Sequence, residues 1–571
     1  MTRPELTHEN VDDIPLWAHT LRERLKLDQA FDGLVAAHGN WQGLSKGEVL
    51  VAWLIHILST SSHFMYHVRD WANVHSRTLA GVFGHALRET DLTDDRLAEI
   101  LRWLSDDERW RALEHDVNAR VVRVYQLKRN IARVDGTTAS VDSHNPQSVL
   151  FQFGHSKDHR PDLKQLKVMM AALDPLGLVM AAEGVPGNRA DDGLYIPVID
   201  HLLDDVQPVG MLIVGDCKMS ALATRAHIRQ RGQHYLSPLA QVGQVPEQMA
   251  AWVAQAVRGD VTLRPLTGPA GEPWGAGYEF SRPQSYTDDK GHTLKWNERV
   301  LVIRSETYAQ AAQRGLAARL KRAEEAIAAL SPPRGRGQRQ FTERDALQTA
   351  AQAILDQHRV SEFLSLHICR EVETQHKRAY GAQLARTTER VRYVVSSKRR
   401  TAAISAHAQT LGWRAYVTEA SRKAWPLRTA VQVYRDEWLI ERDFRRLKGS
   451  PLSLTPLWLT RDDHAIGMVR LLTLAMRVLA LVEHKARCAL AAQQRELKGL
   501  VPGHPNRPLA RPTTERLLQA FNHIVLTEIR RGAQVELCLT QLTAVQKDIL
   551  HLLSCPLSVY THLERCALDS S

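Results

Sequence analysis

Three carboxylates spread across 571 residues, Asp135, Asp216 and Glu441, could hold divalent cations between them. Glu441 lies in Tyr434-Arg435-Asp436-Glu437-Trp438-Leu439-Ile440-Glu441-Arg442-Asp443-Phe444-Arg445-Arg446-Leu447-Lys448, which predicts one continuous helix. At 100° per residue, Tyr434, Glu437, Arg445 and Lys448 fall within about 40° of Glu441. That face would carry acid, base and phenol, while Leu439, Ile440 and Leu447 anchor the opposite side in a core. Mg²⁺ prefers oxygen ligands and keeps several waters, so three carboxylates plus a substrate phosphate make a sufficient cage. Two such ions about 3.5 to 4 Å apart can activate a nucleophile and stabilise the leaving oxygen of a phosphodiester. Taken singly, an Asp at a strand end is usually a turn residue or cap, and a charged helix face is usually solvated. Order and context together carry the catalytic reading.

The elements that must position these groups can be read from the hydrophobic pattern. Residues 131–138 predict a strand running out near Asp135, and 211–217 an apolar strand ending at Asp216, so both carboxylates are expected at strand ends. Between them, strands are expected at 149–155, 167–173 and 178–184, the last two joined by a Pro-Leu-Gly turn at 175–177, then a helix over 192–203. Counted from residue 149, three strands, a helix and a strand is read as the order of a ribonuclease H-like core.

On these residues the chain resembles DDE transposases of bacterial insertion sequences, in the branch whose third carboxylate lies in a Tyr-x2-Arg-x3-Glu-x6-Lys signature. Tyr434, Glu441 and Lys448 have the required spacing. It is similar to the long, 1634-type members of the insertion-sequence-four superfamily, supported by Gly154-His155-Ser156-Lys157-Asp158-His159-Arg160-Pro161-Asp162-Leu163-Lys164-Gln165, by Gly187-Asn188-Arg189-Ala190-Asp191 and by Leu92-Thr93-Asp94-Asp95-Arg96-Leu97. The resemblance covers roughly residues 10–490. It implies a transposase that binds inverted-repeat transposon ends, cleaves them by two-metal-ion hydrolysis and joins the 3′ hydroxyl to target DNA. It also implies two Mg²⁺ ions, replaceable by Mn²⁺, with Asp135 bridging both and Asp216 and Glu441 each holding one. Tyr434 and Lys448 are assigned to transposon-end phosphates, and a homodimer assembled on double-stranded DNA is expected. Glu437 departs from the signature, which has Arg there. Arg435 lies about 120° round a helix from Glu441, so Arg445, one turn after Glu441, is the better source of a cation. Two alternatives stay open: a catalytically inactive relative that keeps DNA-end binding, and a metal-dependent nuclease without strand joining.

Composition agrees with a DNA-acting protein. The net charge is +11, but residues 1–120 hold 13 Lys or Arg against 19 Asp or Glu, so the positive charge lies beyond them. Residues 377–400 carry eight basic side chains against one acidic, and 485–533 nine against three, making both candidates for DNA contact. Six scattered cysteines without a CxxC pair argue against a zinc site or disulfide framework. Cys217 reads as a small packed residue. No run of 18 apolar residues and no signal pattern is present, so a cytoplasmic protein without membrane partners is expected. Without GxxxxGK[ST], no nucleotide cofactor is expected.

The expected organisation is a helical N-terminal domain (1–122), a first core part (123–240), an α+β insertion (241–424), a second core part with the Glu441 helix (425–490), and a linker with C-terminal helices (491–571). N-terminal helices are expected at 15–27, 47–58 continuing to 74, and 94–104. The 225 residues between Asp216 and Glu441 require the insertion, with strands at 299–304 and 391–397 and helices at 308–330 and 343–358 around a Pro/Gly/Arg loop at 331–339. Trp274 and Trp296 could stack on an unpaired base, although packing is the commoner use. A helix at 471–481 returns to the core, and further helices are expected at 514–533 and 545–553.

Overall fold

The computed structural model describes all residues except 1–4, 36–38, 40, 143–144, 336, 380–383, 533 and 565–571. Cys566, Arg336 of the predicted loop and 380–383 of the basic run thus lie outside the described residues. The chain divides into two compact units: residues 1–237, 286–294 and 433–571 form the first, and 238–285 with 295–432 the second.

The first unit contains a mixed sheet. Strand β1 (Ile131–Val141) pairs antiparallel with β2 (Lys164–Leu173), which pairs antiparallel with β3 (Leu178–Pro186). On its other side β1 runs parallel to β4 (Leu212–Gly215), and β4 parallel to β5 (His234–Pro238). Helix α1 (Tyr195–Val206) connects β3 to β4, and α2 (Leu222–Gln230) connects β4 to β5. Parallel neighbours need such crossovers, and strands covered on both faces read as apolar runs. Accordingly β4 is buried throughout, and α1 buries Tyr195, Val198, Ile199, Leu202, Leu203 and Val206, a 3.6-residue stripe.

Two sequence expectations change here. Asp135 is the fifth residue of an eleven-residue strand, because the apolar and small residues Thr137 to Val141 continue pairing with Lys164 to Val168; only Asp216 sits just past a strand end. Residues 149–155 form no strand. The Asp462 carboxylate takes the amides of Val149 and Leu150 at 3.0 and 3.1 Å, leaving a single bridge between Gln152 and Gln165.

The stretch 434–448 is also not one helix. A helix over Leu427–Arg435 ends, Asp436 and Glu437 form a turn, and α3 (Trp438–Lys448) begins afresh. Arg133, fully buried in β1, explains the break. Its guanidinium donates to the Val433 carbonyl at 2.6 Å, the acceptor that a continuous helix would offer to the Glu437 amide. That amide turns instead to Tyr434 O at 3.1 Å. Arg133 is itself held by a bidentate pair with Asp174, at 2.8 and 2.6 Å.

Helix α3 buries Leu439, Ile440 and Leu447, as the pattern predicts, and Phe444 with them. Arg442 bonds Glu483 and the Leu176 carbonyl, and Arg446 bonds Glu483 and Glu515. The Pro-Leu-Gly turn is therefore part of the seat of α3. Gly177 there has φ +66°, and a Cβ would lie 2.3 Å from the Asp443 carboxylate, so only glycine fits without rearrangement. Glu483 belongs to α4 (Asp462–Ala492), a 31-residue helix. By length and composition it could cross a membrane, but 94% of its most apolar window is buried in this structure. It packs on β3 and on the helix Asp94–Ser105. Gly467 permits this closeness, since a Cβ would meet the Leu101 carbonyl at 2.2 Å.

The N-terminal segment is helical, as expected, with interruptions: the helices Lys46–Thr60 and Met65–Val74 meet at 88° instead of forming one rod. Thr93 precedes Asp94–Ser105 in extended conformation without a side-chain capping bond. His63 is buried, with Nδ1 3.3 Å from the Leu452 carbonyl. The C-terminal expectation of helices alone is corrected. The α-helix ends at Leu518, a 3-10 turn continues over Gln519–Phe521, and the alternating Val525, Thr527 and Ile529 favour a strand, Val525–Arg531. This strand lies between Glu5–Asn10 and Gln534–Leu539 in a three-stranded sheet.

In the second unit, Trp413–Thr418, Thr293–Ser305, Pro273–Thr287 and Arg264–Thr267 lie side by side in that order. A separate antiparallel ribbon, Leu364–Lys377 with Arg386–Arg399, packs on the helices Glu306–Ala329 and Arg344–Gln357 through Leu316, Leu320, Leu347, Leu355 and Val395. The described part of the basic run 377–400 is largely exposed on this ribbon. Trp274 and Trp296 are both buried, which is the packing role.

Candidate active site

The parallel register of β1 and β4 pairs Val134 with Gly215, so the next residues along, Asp135 and Asp216, lie side by side. Asp135 Oδ1 accepts from the Gly136 amide at 2.7 Å and stands 3.5 Å from Lys157 Nζ. Burial pushes the Asp135 carboxyl up to about 6; Lys157 opposes this shift, and the charge of Asp216 adds to it. Asp216 Oδ1 accepts from the Tyr195 hydroxyl at 2.6 Å and from the Lys218 amide at 2.8 Å.

The third carboxylate comes from across the chain. Glu441 is an exposed residue of α3, one turn beyond Glu437. Glu437 is half-buried and accepts a hydrogen bond from the Tyr434 hydroxyl; burial raises its carboxyl above the usual range, and Asp135, Glu441 and Asp216 each push it further. Glu437 therefore feels Asp135, Glu441 and Asp216, and Asp135 feels Asp216, where β1 and β4 lie side by side. Concentrated negative charge of this kind, partly desolvated and with a lysine drawn in as counterion, fits oxygen-preferring divalent cations. The donor atoms are not drawn together as in a preformed cage. Among the described residues, the three-residue group whose ligand atoms all lie within 4.8 Å is instead Glu114, His201 and Asp205. That group already holds the Arg477 guanidinium on Glu114 and has His201 between Glu114 and Glu183, at 2.6 and 2.8 Å, so it is a buried ion-pair network.

Of the remaining predicted residues, Lys448 forms an ion pair with Asp158, Tyr434 is buried against Glu437, and Arg445 is exposed on α3. The loop 154–163 joins these parts: Lys157 N donates to Thr138 Oγ1 at 2.9 Å on β1, and the next residue, Asp158, holds Lys448. Burial and the neighbouring Asp216 raise the Cys217 thiol above its usual range. Sequence reasoning quoted Lys157 without giving it a role and missed Tyr195 altogether. Tyr195 had no local signal, whereas Lys157 could have been found as the single lysine in the stretch 150–163.

The family described as "Transposase DDE domain" matches residues 126–476. The chain belongs to this family of DDE transposases. No curated protein sequence matches it. A solved structure described as "Cryo-EM structure of piggyBac transposase synaptic complex with hairpin DNA" is similar over 91% of this chain and 82% of that one, at 9% identity and a TM-score of 0.33.

Proposed function

We propose that this chain is an insertion-sequence transposase of the 1634-type branch, with a ribonuclease H-like core that an α+β insertion interrupts between Asp216 and Glu441. The observation that carries the reading is the adjacency of Asp135 and Asp216 across parallel strands, with the acidic start of α3 electrostatically coupled to both. The core is assigned to 123–240 and 425–490, the insertion to 241–424, an end-recognising domain to 1–122, and the accessory C-terminal segment to 491–571.

Asp135, Asp216 and Glu441 would hold two Mg²⁺, or Mn²⁺ in their place. Ions bound there would supply Lewis-acid activation of water or a 3′ hydroxyl and neutralise charge at phosphorus. The protein's own groups orient and exclude. Tyr195 and the Lys218 amide fix the Asp216 carboxylate, and the Gly136 amide fixes Asp135. Lys448 and Arg445 present cations to the DNA backbone, as point charge and fork respectively. Tyr434 acts through its hydroxyl, which Glu437 now engages. The substrate is double-stranded DNA, transposon ends first and target second, bound by a homodimer assembled on DNA in the cytoplasm.

The test uses labelled duplexes carrying the inverted repeats that flank the gene, with Mg²⁺ or EDTA. Wild-type protein should cleave and join them only with Mg²⁺. Asp135→Asn, Asp216→Asn and Glu441→Gln should lose at least about 10³-fold in rate while binding ends normally, as expected for groups whose removal costs several kcal/mol of transition-state stabilisation. Retained cleavage in any of them removes that residue from the site. Glu437, an acid where the signature has Arg, favours a second reading, an inactive DNA-end-binding relative. Binding without cleavage in every protein, wild type included, would select it, and cleavage without joining would select a nuclease.

A further inference from the structure

Among the described residues Lys157 is the cation paired with Asp135, and its placement is built, not incidental. Its backbone amide is tied to Thr138 Oγ1 at 2.9 Å, its ammonium donates to the Gly136 carbonyl, and Nζ stands 3.5 Å from Asp135 Oδ1. The loop carrying it is secured on both sides. Asp158 pairs with Lys448 of α3, and Gly154 lies against Gly187, where a Cβ would come 2.3 Å from the carbonyl oxygen. The side chain nonetheless keeps 39% exposure, and a four-carbon stem with rotatable bonds can swing while its backbone stays fixed.

An ammonium and a divalent ion compete for the same place. A bound Mg²⁺ or Mn²⁺ would approach a carboxylate oxygen to about 2.1 Å, and an ammonium held a few ångströms away opposes its charge. We propose that Lys157 is the resident counter-cation of the carboxylate site: its ammonium balances Asp135 before metal enters and withdraws from Asp135 when metal binds. This inference rests on the three-carboxylate reading above and adds a residue that sets the site's metal affinity. Asp135 and Asp216, and Glu437 beside them, would otherwise repel one another without metal. A built-in cation lowers that cost, and the same cation makes metal binding weaker than the carboxylates alone would give.

The test is binding of Mn²⁺ alone to the full chain, followed through the electron paramagnetic resonance signal of free Mn²⁺. Lys157→Met should bind Mn²⁺ about three- to tenfold tighter than wild type, the range expected for removing one nearby, partly screened charge, and Lys157→Arg should stay near wild type. In the wild-type protein, acylation of Lys157 measured by mass spectrometry should become several-fold faster at saturating Mn²⁺, because the amine leaves its carboxylate and carbonyl partners. Unchanged or weaker binding by Lys157→Met overturns the proposal, as does acylation that Mn²⁺ leaves unaffected. The labelling arm decides even if Lys157→Met does not fold. Asp135→Asn is the control for the underlying reading. If it binds Mn²⁺ as wild type does, the carboxylate site itself is wrong, a result separable from a failure at Lys157.

Discussion

The Tyr195 hydroxyl donates a 2.6 Å hydrogen bond to Asp216 Oδ1. Tyr195 opens α1, is buried, and has no surface to contact DNA, so it acts through the carboxylate it orients. Phenylalanine there fills the same space and deletes only the donor. Tyr195→Phe should keep the thermal midpoint within a few degrees of wild type and lower the cleavage rate about tenfold, the scale of one charge-assisted hydrogen bond. The Mg²⁺ concentration for half-maximal rate should rise, and unchanged metal dependence would remove Tyr195 from a positioning role.

Lys448 forms an ion pair with Asp158. If it serves a transposon-end phosphate, Lys448→Ala should weaken end binding for every end sequence and make the slope of log K against log salt shallower by about one. Asp158→Asn frees the ammonium and should strengthen binding. Equal salt slopes for wild type and Lys448→Ala would assign Lys448 to loop anchoring alone.

Arg133 and Asp174 are both buried and joined by two hydrogen bonds. Arg133→Met leaves a buried carboxylate without its partner and the Val433 carbonyl without its cap. A loss of about 3 to 5 kcal/mol is expected in urea unfolding. Adding Asp174→Asn should recover part of it, and a loss below about 1 kcal/mol would show that the pair does not hold the break before α3.

Burial works against the imidazolium of His201, but its bonds to Glu114 and Glu183 prevail and raise it to about 9. The folded-state value lies above the ordinary 6.5, so its contribution is fully present below pH 6.5 and is lost as pH rises towards 9. Urea midpoints of wild type should fall across pH 6.5 to 9 more steeply than those of His201→Gln. Parallel profiles would count against a charged His201.

The elements β1, β2, β3, α1 and β4 were legible, with one strand too many at 149–155, because apolar runs and the Pro-Leu-Gly turn are local signals. Long-range competition hid the rest. Nothing near Glu437 announces that Arg133, some 300 residues earlier, will take the Val433 carbonyl and end a helix there. Asp462 likewise claims amides at 149 and 150 that otherwise look ready for a strand. The C-terminal strand Val525–Arg531 is the centre of its sheet, and of its two partners Gln534–Leu539 is local whereas Glu5–Asn10 lies at the opposite end of the sequence. Tyr195 and Lys157 gained their roles only when folding brought them to the carboxylates.

The split of the first unit along the chain, 1–237 with 433–571, has a consequence for the order in which the proposed site would be assembled. A ribosome releases Asp135 and Asp216 long before Glu441, and α4, which covers β3 and the helix Asp94–Ser105, follows later still. A nascent or prematurely stopped chain ending within the second unit has two carboxylates, an uncovered sheet face and no α3. On the three-carboxylate reading proposed above, synthesis itself would act as a safety catch: the site would be complete only once translation has passed residue 441, so truncated products should be aggregation-prone rather than nicking enzymes.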